Sequence, residues 1–164
     1  MDTEGQTSIE LILLIGFVLV LVLGIASFFG DNIELNQAMA AARSGAIEGA
    51  NTDSFAIYPE DTFKNYTTEH QRLLSQSSVK IIRIDYTNHG FNDKYNKTKV
   101  QLQITASAIN VPDPNDRNVL GDRVNFYTRK SICESFDTAY QTNDVFNPAF
   151  SNRYVFTTVN VRWI

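Results

Sequence analysis

The chain predicts an α+β protein. One long N-terminal helix, apolar in its first half and amphipathic in its second, packs on a small antiparallel β-sheet head with one or two additional helices. Three features of the sequence dictate this. Residues 11–30 contain no Asp, Glu, Lys or Arg. The following stretch, DNIELNQAMAAARSGAIEGA, is rich in helix formers, and no proline occurs before Pro59. Later, Val100, Leu102, Ile104, Ala106 and Ala108 alternate with polar residues, as do Val155, Thr157, Val159, Val161 and Trp163 with their neighbours, which is the period of a strand.

The first element is a helix because nothing interrupts it. At about 1.5 Å per residue, the uncharged run reaches roughly 30 Å, the thickness of a bilayer core. Glu10 stands at its edge, where a carboxylate is costly unless it snorkels out or has a partner. The run does not have the order of a secretory signal peptide: no Lys or Arg precedes Arg43, and no A-x-A-like site follows the run. The helix therefore continues to about Ala50, with Ile33, Gln37, Ala40, Ser44 and Ile47 along one side and Glu34, Arg43 and Glu48 elsewhere. Ala38, Ala42, Gly45 and Gly49 fall three or four apart. Within lipid such small residues associate helices, and beyond a span they suit packing on the helix's own domain.

The head follows. Asn51–Asn65 is polar and turn-rich, and a short helix comes next, with Thr68 and Gln71 spaced as a capping box ahead of Leu73 and Leu74. Val79–Thr87 reads as a strand with Ile82, Ile84 and Tyr86 on one side, NHGFNDKYN as a hairpin loop, and Val100–Ala108 as the returning strand. Val111–Asp116 is a break. Val124–Tyr140 reads as a helix through Phe126, Cys133, Phe136 and Tyr140, and Val155–Trp163 as a last strand with one buried face.

With 164 residues, 43% of them hydrophobic, there is room for one span and one head able to bury a core, and for no second domain. Of the charges, six acids and Arg43 lie in residues 1–50, against twelve acids and thirteen bases in 51–164. The head is nearly neutral and has no basic run, which argues against nucleic acid as a partner. Cys133 is the single cysteine, so no intrachain disulfide forms, and it reads as a small buried apolar residue.

Little in the head suggests chemistry. His70 and His89 stand apart, with no second ligand at metal spacing. Asp113 and Asp116 lack the spacing of a calcium loop and read as a solvated turn. No nucleophile motif or phosphate-binding loop is present. The expectation is a protein without metal, cofactor or enzymatic activity. The aromatic residues in Phe55–Tyr66 and Phe146–Tyr154 fill a core or meet a partner. Asn65-Tyr66-Thr67 and Asn96-Lys97-Thr98 are sequons, making Asn65 and Asn96 candidate N-glycosylation acceptors at element edges.

Gly5-Gln6-Thr7-Ser8-Ile9-Glu10, running straight into the apolar segment, resembles the class III signal peptide of archaeal type IV pilin-like proteins. The resemblance implies cleavage by a prepilin peptidase between Gly5 and Gln6. That divides the chain into a leader (1–5), a spine helix (6–50) with its transmembrane segment at 11–30, and an extracellular head (51–164). It also implies that Glu10 pairs with the freed α-amine of a neighbouring subunit during assembly. Leaders of this family usually carry Lys or Arg before the glycine, whereas Asp2 and Glu4 stand here, so an in-frame start further upstream is expected. The partners implied are like or related pilin subunits, the peptidase and the assembly machinery. The implied location is the membrane before assembly and an extracellular, often glycosylated filament after it, serving attachment or cell contact. The alternatives are a single-span surface protein and a minor initiating or tip pilin with a binding head.

Overall fold

The computed structural model describes residues 3–52, 79–109, 111–138 and 148–164, with side chains in the first of these from Ile9 onward, apart from residues 27–29 and 31. It is an α+β protein with a mixed sheet. Helix α1 spans Thr3–Asn51, and the chain divides into two compact units, Met1–Asn36 and Gln37–Ile164.

In the first unit, every residue of Ile9–Ala26 is exposed. These 18 residues form a helix long and apolar enough to cross a membrane, about 27 Å at helical rise.

In the second unit, α1 buries the small-residue stripe expected to pack on its own domain, and not the side that carries the isoleucines. Gln37, Ala40, Ser44 and Ile47 are exposed, as is Ile33 in the first unit, while Ala38, Ala42, Gly45, Ala46, Gly49 and Ala50 are buried. Large side chains are excluded because a second helix, α2 (Pro114–Ser135), lies against this stripe almost backbone to backbone.

The head sheet has β1 (Lys80–Asn92), β2 (Lys97–Ser107), β3 (Ala149–Phe150), β4 (Tyr154–Thr158) and β5 (Arg162–Trp163). β2 is central and follows its alternation: Val100, Leu102, Ile104, Ala106 and Ala108 are all buried. β1 pairs with it antiparallel. Ile81 opposes Ala106 and Arg83 opposes Thr105, so Ile82 is an extra, bulged residue. The bulge lets Ile81 and Ile84 both face the core while Ile82 is exposed, and Tyr86, although opposite Leu102, is also exposed. The expected loop from Asn88 is shorter than predicted, because β1 runs on to Asn92 through a second irregularity at Asn88–Phe91. There Gly90 takes φ +78° and its N–H donates to Asn88 Oδ1 at 2.8 Å.

The antiparallel expectation fails beyond β1. β4 and β5 both pair parallel to β2, and β3 pairs antiparallel to β4. The chain reaches β4 through α2 and then through β3, which runs antiparallel to β4 and so opposite to β2; the turn from β3 into β4 restores the direction of β2. The predicted last strand is also broken, at Val159–Val161, and Tyr154, Val155 and Phe156 are all buried, so β4 is covered on both faces.

α2 begins ten residues earlier than the aromatic spacing indicated. Asp113 is its N-cap, with Oδ1 accepting from Asn115 N–H at 2.8 Å, and Pro114 occupies the first helical position. The helix stops at Ser135 rather than running to Tyr140. Asp137 turns left-handed at φ +56°, Thr138 N–H donates to Cys133 O at 2.7 Å, and Asp137 N–H to Glu134 O at 3.3 Å. Cys133 is a buried free thiol. The capping-box helix at Thr68–Leu74, and Tyr140, lie outside the described residues.

The core joins these layers: Ala46 and Ala50 of α1, Leu120 and Val124 of α2, and Ile104 and Ala106 of β2 form one cluster, with Ile81, Ile84 and Trp163 at its margin. Removing the cap of α2 tests how far that helix depends on its start signal. Asp113→Ala is expected to destabilise the head by about 1 kcal/mol and lower the unfolding temperature by about 4–8 °C, read by circular dichroism.

Candidate functional site

The exposed apolar half of α1 holds one charge. Glu10 lies exposed between Ile9 and Leu11, the second residue of the span-length stretch. Its neighbours one turn along are Gln6, Leu13 and Leu14, and no Lys or Arg occurs before Arg43. A carboxylate in an apolar environment is tolerated when paired and strongly destabilising when not. No Lys or Arg lies within a helical turn of Glu10. Gly5 and Gln6 fall in the first turns of α1.

The other end of α1 is built into the head. A Cβ on Gly45 would collide with Tyr127 O and approach Ser131 Cβ to 2.7 Å, and one on Gly49 would come within 2.9 Å of Val124 Cα. Gln37 Nε2 donates to Ser135 O at 2.8 Å, and the buried Arg123 donates through Nε to Gly49 O at 2.8 Å, satisfying a carbonyl in the last turn of α1. Of the small-residue stripe, Gly45 and Gly49 thus pack against α2 of the same chain, and Ala38 and Ala42 are buried with them. Arg123 was not singled out in the sequence, where it is one of several bases on a polar helix.

Asn96 lies exposed in the Asp93–Asn96 turn at φ +52°, just before β2 begins at Lys97. Asn65 and His70 lie outside the described residues. His89 is on β1, not in a loop, with Nε2 3.2 Å from Gln101 Oε1. Asp116 is in the first turn of α2, next to the cap made by Asp113. Among the described residues no group of three or more His, Cys, Asp or Glu could hold a metal ion.

A second feature belongs to the head alone. Two adjoining depressions of about 260 and 290 Å³ share Asp122 and Asn160 as a common wall, between α2 and the break separating β4 from β5. Asn118, Asp122, Asn125 and Arg129 recur at four, three and four residues along α2, a polar stripe facing this groove. The break is fixed from both sides: Gln103 Nε2 donates to Asn160 O at 2.9 Å and Asn125 Nδ2 to Val159 O at 3.1 Å. Arg129 donates to Thr158 Oγ1. Sequence reasoning missed this site because its stripe resembles an ordinary solvated helix face.

No protein-family model, curated protein or solved structure matches the chain.

Proposed function

We propose that the chain is a non-enzymatic subunit of an extracellular type IV pilus-like filament. It is held in the membrane as a precursor by the first half of α1, trimmed by a prepilin peptidase between Gly5 and Gln6, and polymerised with like or related subunits through that helix. The observation that carries this is α1 itself. One uninterrupted 49-residue helix begins with a wholly exposed, span-length apolar stretch and ends with its Ala/Gly face locked into a folded head. A helix that only anchored a head could end at the membrane surface, whereas a subunit needs its spine rigidly joined to the part it displays. Glu10 gives the apolar stretch one polar position, so a bundle of such helices has an axial register: a misplaced subunit buries a carboxylate without its partner. Asn96, exposed in its turn, is the glycan acceptor among the described residues that this reading places outside the cell. The groove in the head favours a second version of the same role, a minor subunit that initiates or tips a filament and binds a target.

Mass spectrometry of sheared surface filaments tests the proposal. A mature N-terminus at Gln6 and a glycan mass on the Asn96 peptide are expected. A chain starting beyond Gly30 would mark an ordinary secretory signal, and one retaining Met1 a plain membrane anchor.

A further inference from the structure

The groove beside α2 has the chemistry of a ligand site. Arg129 and Asn125 line one depression, both more than nine-tenths buried, so their positions are fixed by the core and not by solvent. Asn125 uses its amide N–H on Val159 O, while its Oδ1 and the hydroxyl of Thr157 have no hydrogen-bond partner among the described residues. Buried polar atoms of this kind are ordinarily satisfied, by water or by a ligand.

Charge narrows the occupant. Arg129 in one depression and Arg117 in the other oppose a cation, and Asp122, in the wall common to both, opposes an anion. A neutral polyhydroxyl compound fits both constraints, since each hydroxyl can donate to a carboxylate or amide oxygen and accept from a guanidinium or amide N–H. Trp163 lines the second depression with its Cζ2 near Gly121, placing an aromatic ring beside Asn118, Asp122 and Asn160. Such a surface suits the C–H face of a pyranose ring. Each depression falls just below the lower end of the small-molecule range, about 300 Å³, with room for one ring in each.

We infer that this groove binds a neutral saccharide of at least two rings, held by Asp122 and Asn160 between the depressions and resting on Trp163. The groove lies wholly within Gln37–Ile164, so its occupancy is independent of whether the chain polymerises.

Trp163 is the only tryptophan and therefore reports on its own site. The full chain, in micelles of a sugar-free zwitterionic detergent, is titrated with lactose, maltose, chitobiose and mannobiose, and with a glucuronate-containing disaccharide. Tryptophan emission and saturation-transfer NMR are the readouts. At least one neutral disaccharide is expected to give saturable changes in both. Asp122→Ala and Asn160→Ala should each weaken that binding about tenfold, Asn160→Ala with the unfolding temperature unchanged, and Lys94→Ala, in the Asp93–Asn96 turn, should leave it as in wild type. Absence of both signals for every neutral disaccharide overturns the inference. So does equal binding by wild type and the two groove variants, or binding of the acidic disaccharide alone.

Discussion

Glu10→Gln is expected to leave the precursor inserted and cut after Gly5, yet to reduce filament yield about tenfold or more at matched expression. The two steps separate because they use the N-terminus differently. On the proposed reading, cleavage depends on Gly5 and its neighbours in the peptidase site. Assembly, on the proposed reading, brings Glu10 to the α-amine of another subunit inside a bundle of apolar helices. The amide is cheaper than a carboxylate in lipid, so insertion does not suffer. The incoming amine, however, is then buried without its counter-charge, a loss of about 3–5 kcal/mol for each broken pair. Glu10→Asp should fall between, its shorter side chain reaching the amine poorly. Electron microscopy of shed filaments, with immunoblots separating precursor from mature chain, checks both halves. Equal filament numbers for wild type and Glu10→Gln would make Glu10 a simple interfacial residue.

Gly45→Val should strongly destabilise the head. On helix propensity alone, replacing a mid-helix glycine gains up to about 1 kcal/mol. At Gly45 packing reverses that sign, because the new Cβ meets the Tyr127 carbonyl and Ser131 Cβ, neither of which is a flexible chain end. α1 and α2 must separate, which strains the Gln37 and Arg123 hydrogen bonds and opens the cluster around Ala46 and Val124. Overpacking of this kind costs about 3 kcal/mol or more, lowering the unfolding temperature by about 10 °C or more. Ser44→Ala, one residue away and exposed, should change stability by less than about 0.5 kcal/mol. Thermal circular dichroism of the full chain in micelles compares the two, and an unaltered midpoint for Gly45→Val would contradict the close helix contact.

How much of this was legible in the sequence depends on whether a feature announces itself locally. The length of α1 did, because no proline interrupts it, and β2 did, because a strand with one core face must alternate. The buried face of α1 did so in part: Ala38, Ala42, Gly45 and Gly49 read as a stripe suited to packing, but Ile47 looked like a core residue and is exposed, because α2 approaches Gly45 and Gly49 too closely for large side chains on that face. In β1, Ile82 seemed to share a face with Ile84 until the bulge at Ile82 shifted the alternation. The start of α2 was written in Asp113-Pro114, but the polar residues after it carry no apolar period, so the same letters read as a turn. Parallel pairing of β4 and β5 with β2 is a property of the connection through α2 and β3 and leaves no mark on the strands. Glu10 was visible as a charge against an apolar run. The groove was not, since residues 117–129 and 157–163 meet only once the chain has crossed over.

The antiparallel contact between α1 and α2 also has a mechanical consequence. It is held at one end by Gln37 on Ser135 and at the other by Arg123 on Gly49, about 18 Å apart along α1 at helical rise. A pull along the axis of α1 therefore loads this contact in shear. The two hydrogen bonds and the backbone interlock at Gly45 and Gly49 share the force and must yield together, whereas a pull across the axis would peel them one after another. The second half of α1 is thus fastened to α2 most strongly along its own axis.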